Sequence, residues 1–131
     1  MRVVFDTSIF VSALVIPGGR ADDAMQRVIE ETDQLILSRA IIHELLSVLS
    51  RKFGRDKEEL ARVAVYLSEI GEQIETKSKI SVLEDEADNR ILECAIVGKA
   101  DVIVTGDRAM LKLGKYEGIR IINLNYYLQS T

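Results

Sequence analysis

Four acidic residues of the 131-residue chain stand where their chemistry could matter. Asp6 directly follows the apolar run 2–5, and Asp107 follows Val102-Ile103-Val104-Thr105-Gly106. In a parallel α/β sheet, groups at the carboxyl ends of neighbouring strands share one edge, and ligands gather there where strand order reverses. Glu44 lies three residues after Ile41 and four before Val48, so on a helix it borders an inward apolar stripe. Asp88 falls in a first helical turn, in line with Ile91, Leu92 and Ala95. Several ionised carboxylates in a half-buried cleft are opposed by desolvation and by mutual repulsion, so a cation must offset them. Hard oxygen donors select Mg²⁺ or Mn²⁺. Two such ions about 3.5–4 Å apart can activate water and stabilise the leaving oxygen of a phosphodiester, which is nuclease chemistry.

Composition removes the main rivals. A single histidine, His43, excludes sites built on several imidazoles, and a single cysteine, Cys94, excludes an internal disulfide or a metal knuckle. Adjacent helical residues point about 100° apart, so His43 is not expected to share a metal with Glu44. Cys94 reads as a small buried hydrophobe. The length suits one domain, 1–131, and 47% hydrophobic with 29% charged residues is a globular balance. Apolar runs such as 13–16 and 102–104 are far shorter than the roughly 18 residues of a membrane span. No secretory leader is visible before Asp6, so the expected location is cytoplasmic.

The elements that must position the acids follow from periodicity. A strand over 2–5 precedes a buried helix over 9–15, a turn at Pro17-Gly18-Gly19 and a helix over 21–31. A strand over 34–37 leads to Ser38, an N-cap for a helix over 39–52. A second amphipathic helix covers 56–70 and ends at Gly71, before a weak strand at 73–76. Asp85 caps a helix over 86–97, stopped by Gly98. A strand at 101–105, a short helix at 107–113, a strand at 119–122 and a turn of helix at 123–128 complete the chain. Strands alternating with helices predict an α/β fold: a three-layer α/β/α sandwich on a central parallel sheet of four to five strands.

The run Val3-Val4-Phe5-Asp6-Thr7-Ser8-Ile9-Phe10-Val11-Ser12-Ala13-Leu14, the Gly18-Gly19 turn, Ile42-His43-Glu44-Leu45-Leu46, Asp88-Asn89-Arg90-Ile91-Leu92 and Thr105-Gly106-Asp107 together resemble the PIN domain, close to the toxin components of toxin–antitoxin operons. The resemblance covers nearly the whole chain. It implies a Mg²⁺- or Mn²⁺-dependent endoribonuclease with Asp6 as central ligand, Glu44 and Asp88 completing a first metal site, and Asp107 serving a second. It also implies that Ser8, Asn89 and Thr105 orient carboxylates or waters, and that Gly106 lets the backbone turn close to the metals. Relatives often carry Asn at the position of Ser8 and Asp at that of Ala109, so the second metal site is expected to be weak or filled along with substrate. An RNA substrate, an antitoxin partner and a homodimer are the implied associations.

The formal charge of −4 argues against nucleic acid, but removing those four acids leaves a neutral balance. Arg20, Arg39, Arg51, Lys52, Arg55, Arg108, Lys112 and Lys115 include candidates for phosphate contacts. With 5% aromatic residues, an extended base-stacking platform is not expected.

Simpler roles compete at each position. Asp6 and Asp107 could be N-caps, Asp88 could serve the helix dipole, and Glu44 could be a solvated surface group. Glu93 reads as a surface residue, not a fifth ligand, and the acidic runs 84–86 and 56–59 as solvated helix starts. Two other functions are open: a phosphatase with Asp6 as nucleophile, which lacks the second acid expected at Ser8, and a PIN module that binds RNA or a protein without cleaving.

Overall fold

The computed structural model describes residues 1–77 and 79–129. β1 (Arg2–Phe5), β2 (Gln34–Ser38), β3 (Gly71–Ile74), β4 (Val102–Val104), β5 (Lys115–Tyr116) and β6 (Ile119–Ile122) form one sheet in the order β3-β2-β1-β4-β6-β5. Every pairing is parallel except β5 with β6. The helices are α1 (Thr7–Val15), α2 (Arg20–Ile29), α3 (Arg39–Phe53), α4 (Lys57–Ile70), α5 (Glu86–Val97), α6 (Arg108–Leu113) and α7 (Leu124–Gln129). The architecture is the three-layer α/β/α sandwich expected.

The first strands are continuous apolar runs because both their faces are covered. Val3, Val4 and Phe5 are fully buried, as are Leu35, Ile36 and Leu37 of β2. The ring of Phe5 meets Phe10 of α1 at 5.8 Å and Tyr127 of α7 at 5.6 Å. α5 packs across β1, β2 and β4. Val3, Val4 and Phe5 pair with Val102, Ile103 and Val104, so β1 and β4 finish level with each other. Strand order reverses between these two strands, which makes their carboxyl ends the switch point of the sheet.

Helix ends follow their caps. Ser38 accepts from the backbone N–H of Ile41, Asp56 from Glu59 and Asp85 from Ala87. Gly54 ends α3 with a φ of 62°, in the left-handed region. Two features differ from expectation. The sheet has six strands, because Lys115–Tyr116 folds back antiparallel on β6 through Glu117 and Gly118, both at positive φ. Two central residues of that kind make a tight hairpin turn, whereas a two-residue strand is too short to show alternation. Glu93 is not a surface residue: it is 4% exposed, and its Oε2 accepts from the backbone N–H of Lys79 (2.5 Å) and of Ile80 (3.1 Å).

No helix among the described residues is long and apolar enough to cross a membrane.

Gly98 shows how tightly α5 seats on the sheet. A Cβ there would lie 2.4 Å from Ile36 Cγ2 and 2.9 Å from the Cys94 carbonyl oxygen, while its backbone conformation is ordinary. Gly98→Ala is therefore expected to lose roughly 1–3 kcal/mol through overpacking, read as a fall in the urea midpoint. An unchanged midpoint would contradict this packing.

Candidate functional site

A cleft of about 590 Å³ opens at the carboxyl ends of β1 and β4. Asp6, Glu44, Asp88 and Asp107 all line it. They come from four separate places: the end of β1, the middle of α3, the first turn of α5 and the junction of β4 with α6.

Asp6 is the most firmly held. It is 7% exposed, and its backbone N–H donates to the Val104 carbonyl oxygen at 2.9 Å, extending the β1–β4 pairing by one residue. Its Oδ2 accepts from Thr105 Oγ1 at 2.6 Å and Ser8 Oγ at 3.3 Å. Although Asp6 precedes α1, its side chain makes no capping bond, so helix capping does not explain it. Thr105 Oγ1 also accepts from the Asp107 N–H at 3.0 Å, so one hydroxyl ties two of the acids together.

Asp107 does cap. Its Oδ2 accepts from the Met110 N–H at 2.9 Å. Asp88 does not have to cap, because Asp85 satisfies the start of α5. Asp88 is 6% exposed, and burial, then the charges of Asp107, Asp85 and Asp6 and a hydrogen bond with Asp107, push its carboxyl up to about 7. Glu44 is half-buried on the wall of the cleft, four residues before Val48 and eight before Lys52, which line it too.

The surrounding charge is unbalanced. Among the described residues none of the four acids forms an ion pair, and Lys52 is the one cationic side chain lining the cleft. The side chains do not stand as a ready-made cage: no group of three or more His, Cys, Asp or Glu among the described residues is arranged to hold a metal ion. Carboxylates that repel one another with no cation between them are expected to stand apart or to hold a proton, and Asp88 is pushed towards its protonated form. The donor set itself, all carboxylate oxygen, suits Mg²⁺ or Mn²⁺.

Other expected residues fall differently. Among the described residues the Asn89 side chain makes no hydrogen bond to any of the four acids: its Oδ1 accepts from Val82 and Leu83 N–H groups and its Nδ2 donates to the Leu83 carbonyl. With Glu93, and with Arg90, which donates to the Ile80 carbonyl, it straps the segment 79–83 along α5. Gly106 lines the cleft, yet a Cβ there would meet nothing within 4 Å and its φ is not left-handed, so the chain itself does not demand glycine. His43 is exposed, and Cys94 is fully buried with its thiol pushed up to about 12, chiefly by burial. Asp85 and Phe53 line the cleft without having been singled out for it. Lys52 could have been chosen from the other bases by its four-residue steps from Glu44 and Val48, whereas nothing in the sequence marks Phe53.

The PIN domain family matches residues 2–109 of the chain. An uncharacterized protein of Methanocaldococcus jannaschii is 30% identical, over 95% of this chain and 84% of its own length. Among solved structures, VapBC2 from Rickettsia felis, bound to a DNA fragment from its promoter, is similar with a TM-score of 0.67 and 16% identity, covering 94% of this chain and 98% of that one. VapBC-1 from nontypeable Haemophilus influenzae is similar with a TM-score of 0.64 and 16% identity, covering 95% and 99%. Those two likenesses concern the fold.

The shift at Asp88 sets a pH dependence in metal-free protein. Between its ordinary value of 3.8 and about 7 the folded chain keeps a proton that the unfolded chain has released. The stability this group contributes is thus present below about pH 4 and is lost as pH rises to about 7. Asp88→Asn is expected to raise stability by roughly 1–3 kcal/mol at pH 8, with little change at pH 4, since one pKa unit is about 1.4 kcal/mol. Chelator-treated protein in urea titrations at both pH values checks it. Equal loss or no gain at pH 8 would contradict the shift.

Proposed function

The chain belongs to the PIN domain family, and on that premise we propose that residues 1–131 act as one Mg²⁺- or Mn²⁺-dependent endoribonuclease, the toxin of a toxin–antitoxin pair. The observation that carries this reading is the set of four carboxylates lining one cleft at the switch point of the sheet, none of them in an ion pair among the described residues. Asp6, Glu44, Asp88 and Asp107 would hold the metal. When bound, it supplies Lewis acidity to the phosphoryl oxygens and lowers the pKa of the attacking water.

The chain's own part is positioning and charge. Thr105 and Ser8 both bond Asp6 Oδ2, which fixes the carboxylate and leaves Oδ1 without a hydrogen bond among the described residues. Asp88 carries a proton near neutrality and releases it when positive charge enters the cleft. Lys52, eight residues from Glu44 on the same helix, offers charge to an adjoining phosphate. Held apart by the fold and unable to neutralise one another, the acids favour a site that binds cation and polyanion together. An antitoxin would inhibit by inserting Arg or Lys into the same cleft, where Lys52 is the one cationic side chain among the described residues. The VapBC likenesses support a protein partner of that kind, and the family implies a homodimer and a cytoplasmic setting.

One observation favours a second reading, a PIN module that binds RNA or a protein without cutting. Asp107 already uses Oδ2 to cap α6, and Ala109 supplies no further acid beside it. Calorimetry separates the two, since a module of that kind would take up neither Mg²⁺ nor Mn²⁺ with or without RNA.

Purified protein is expected to cleave single-stranded RNA internally with Mg²⁺ or Mn²⁺ and to stop with EDTA. Asp6→Asn should lower the rate by at least about 100-fold and Thr105→Val by about 10- to 100-fold, as losses of a ligand and of its supporting hydrogen bond. Cleavage that persists at full rate in EDTA or in Asp6→Asn excludes the mechanism.

A further inference from the structure

The acidic cleft does not end at the acids. Glu44, Val48 and Lys52 follow one another at four-residue steps on α3 and all line it, so the wall continues along the helix. At 1.5 Å per residue, Lys52 lies about 12 Å along the axis from Glu44. Phe53, the last residue of α3, also lines the cleft and is 42% exposed. The other phenylalanines, Phe5 and Phe10, are fully buried in the core. Phe53 thus leaves an aromatic side chain partly open to solvent in the lining of the cleft, next in sequence to the one cation that lines it. Lys52 forms no ion pair among the described residues.

We infer that Lys52 and Phe53 form a nucleotide subsite, in which the Phe53 ring stacks on a base of single-stranded RNA and the Lys52 ammonium holds an adjoining phosphate. The inference rests on the nuclease reading above and adds where the strand lies. An aromatic ring accepts any base through its π-face, and a nearby cation tracks the backbone, the two parts from which single-strand grooves are built. The 12 Å between Glu44 and Lys52 places this subsite on a different nucleotide from the one at the acids. A cleft of about 590 Å³ is within the range that holds a small ligand. Because the acids repel a polyanion, Lys52 and Phe53 supply the attraction that draws the strand along α3 and past Glu44. Stacking on one ring predicts tolerance of base identity at that position, with sequence preference arising elsewhere. Phe53 and Lys52 are positioning residues and take no part in bond breaking.

The chain contains no tryptophan, so Phe53→Trp gives a sole reporter at the subsite. The probe is a single-stranded oligoribonucleotide titrated in Mg²⁺ against an abasic strand of equal length, with Asp6→Asn added to Phe53→Trp so that the strand survives the titration. Saturable quenching by the first and little by the second is expected. Phe53→Ala should raise the Kd of the base-bearing strand and the KM for RNA about 10-fold with kcat unchanged, and Phe53→Tyr should restore both. Lys52→Ala should reduce the slope of log K against log salt by about 0.7. If wild-type protein cuts RNA while Phe53→Trp emission stays unchanged and Phe53→Ala binds normally, the subsite is wrong, the exposed ring belongs to a protein contact, and the nuclease reading stands. If wild-type protein neither binds nor cuts RNA, both readings fall together.

Discussion

Repulsion among carboxylates that form no ion pair among the described residues is the constraint from which the properties of the cleft follow. Burial first, and then the like charges of Asp107, Asp85 and Asp6, raise the proton affinity of Asp88, whose carboxyl is pushed up to about 7. A protein gains nothing for stability from such a cluster. It persists because Asp6, Glu44, Asp88 and Asp107 are anchored to elements whose own packing is strong enough to hold them. Such local loss of stability fits the proposed function, in which the cleft would accept a cation and a polyanion together.

The anchoring is distributed. The level ends of β1 and β4 bring Asp6 beside Thr105, and the Thr105 hydroxyl bonds Asp6 and the backbone of Asp107 at once. Asp88 owes its place to α5, which is pressed against β2 at Gly98 and strapped by the segment 79–83 through Asn89, Arg90 and Glu93. Those three side chains fix the helix that carries the acid through their bonds to the segment 79–83. Glu44 stands on α3, whose start is set by Ser38 and whose end is set by Gly54. Every acid is thus tied to a cap, a register or a close helix–sheet contact, so a change far from the cleft can alter its charge balance.

Strands and helices that bury both faces or one stripe left clear traces, which is why β1, β2, α3, α4 and α5 were legible from periodicity and capping residues alone. β5 was not, since a two-residue strand carries no pattern and its hairpin signal lies in the conformations of Glu117 and Gly118. The meeting of the four acids was legible because strand ends and helix stripes have fixed directions in a parallel sheet. Roles that depend on which neighbour a polar side chain finds were not. Asn89 and Glu93 bond to a segment without regular structure, whose path periodicity does not describe. Gly106 stood out beside an acid, yet its surroundings leave room for a side chain.

The most direct test is a titration of the aspartate side-chain carboxyl carbons by NMR, with and without saturating Mg²⁺. Asp88 is expected to titrate at about 7 in chelator-treated protein and to fall well below that when Mg²⁺ is present, because the cation replaces the proton. An Asp88 that titrates near 3.8 without metal, or one that stays at about 7 in saturating Mg²⁺, would contradict the view that these acids are gathered for a cation.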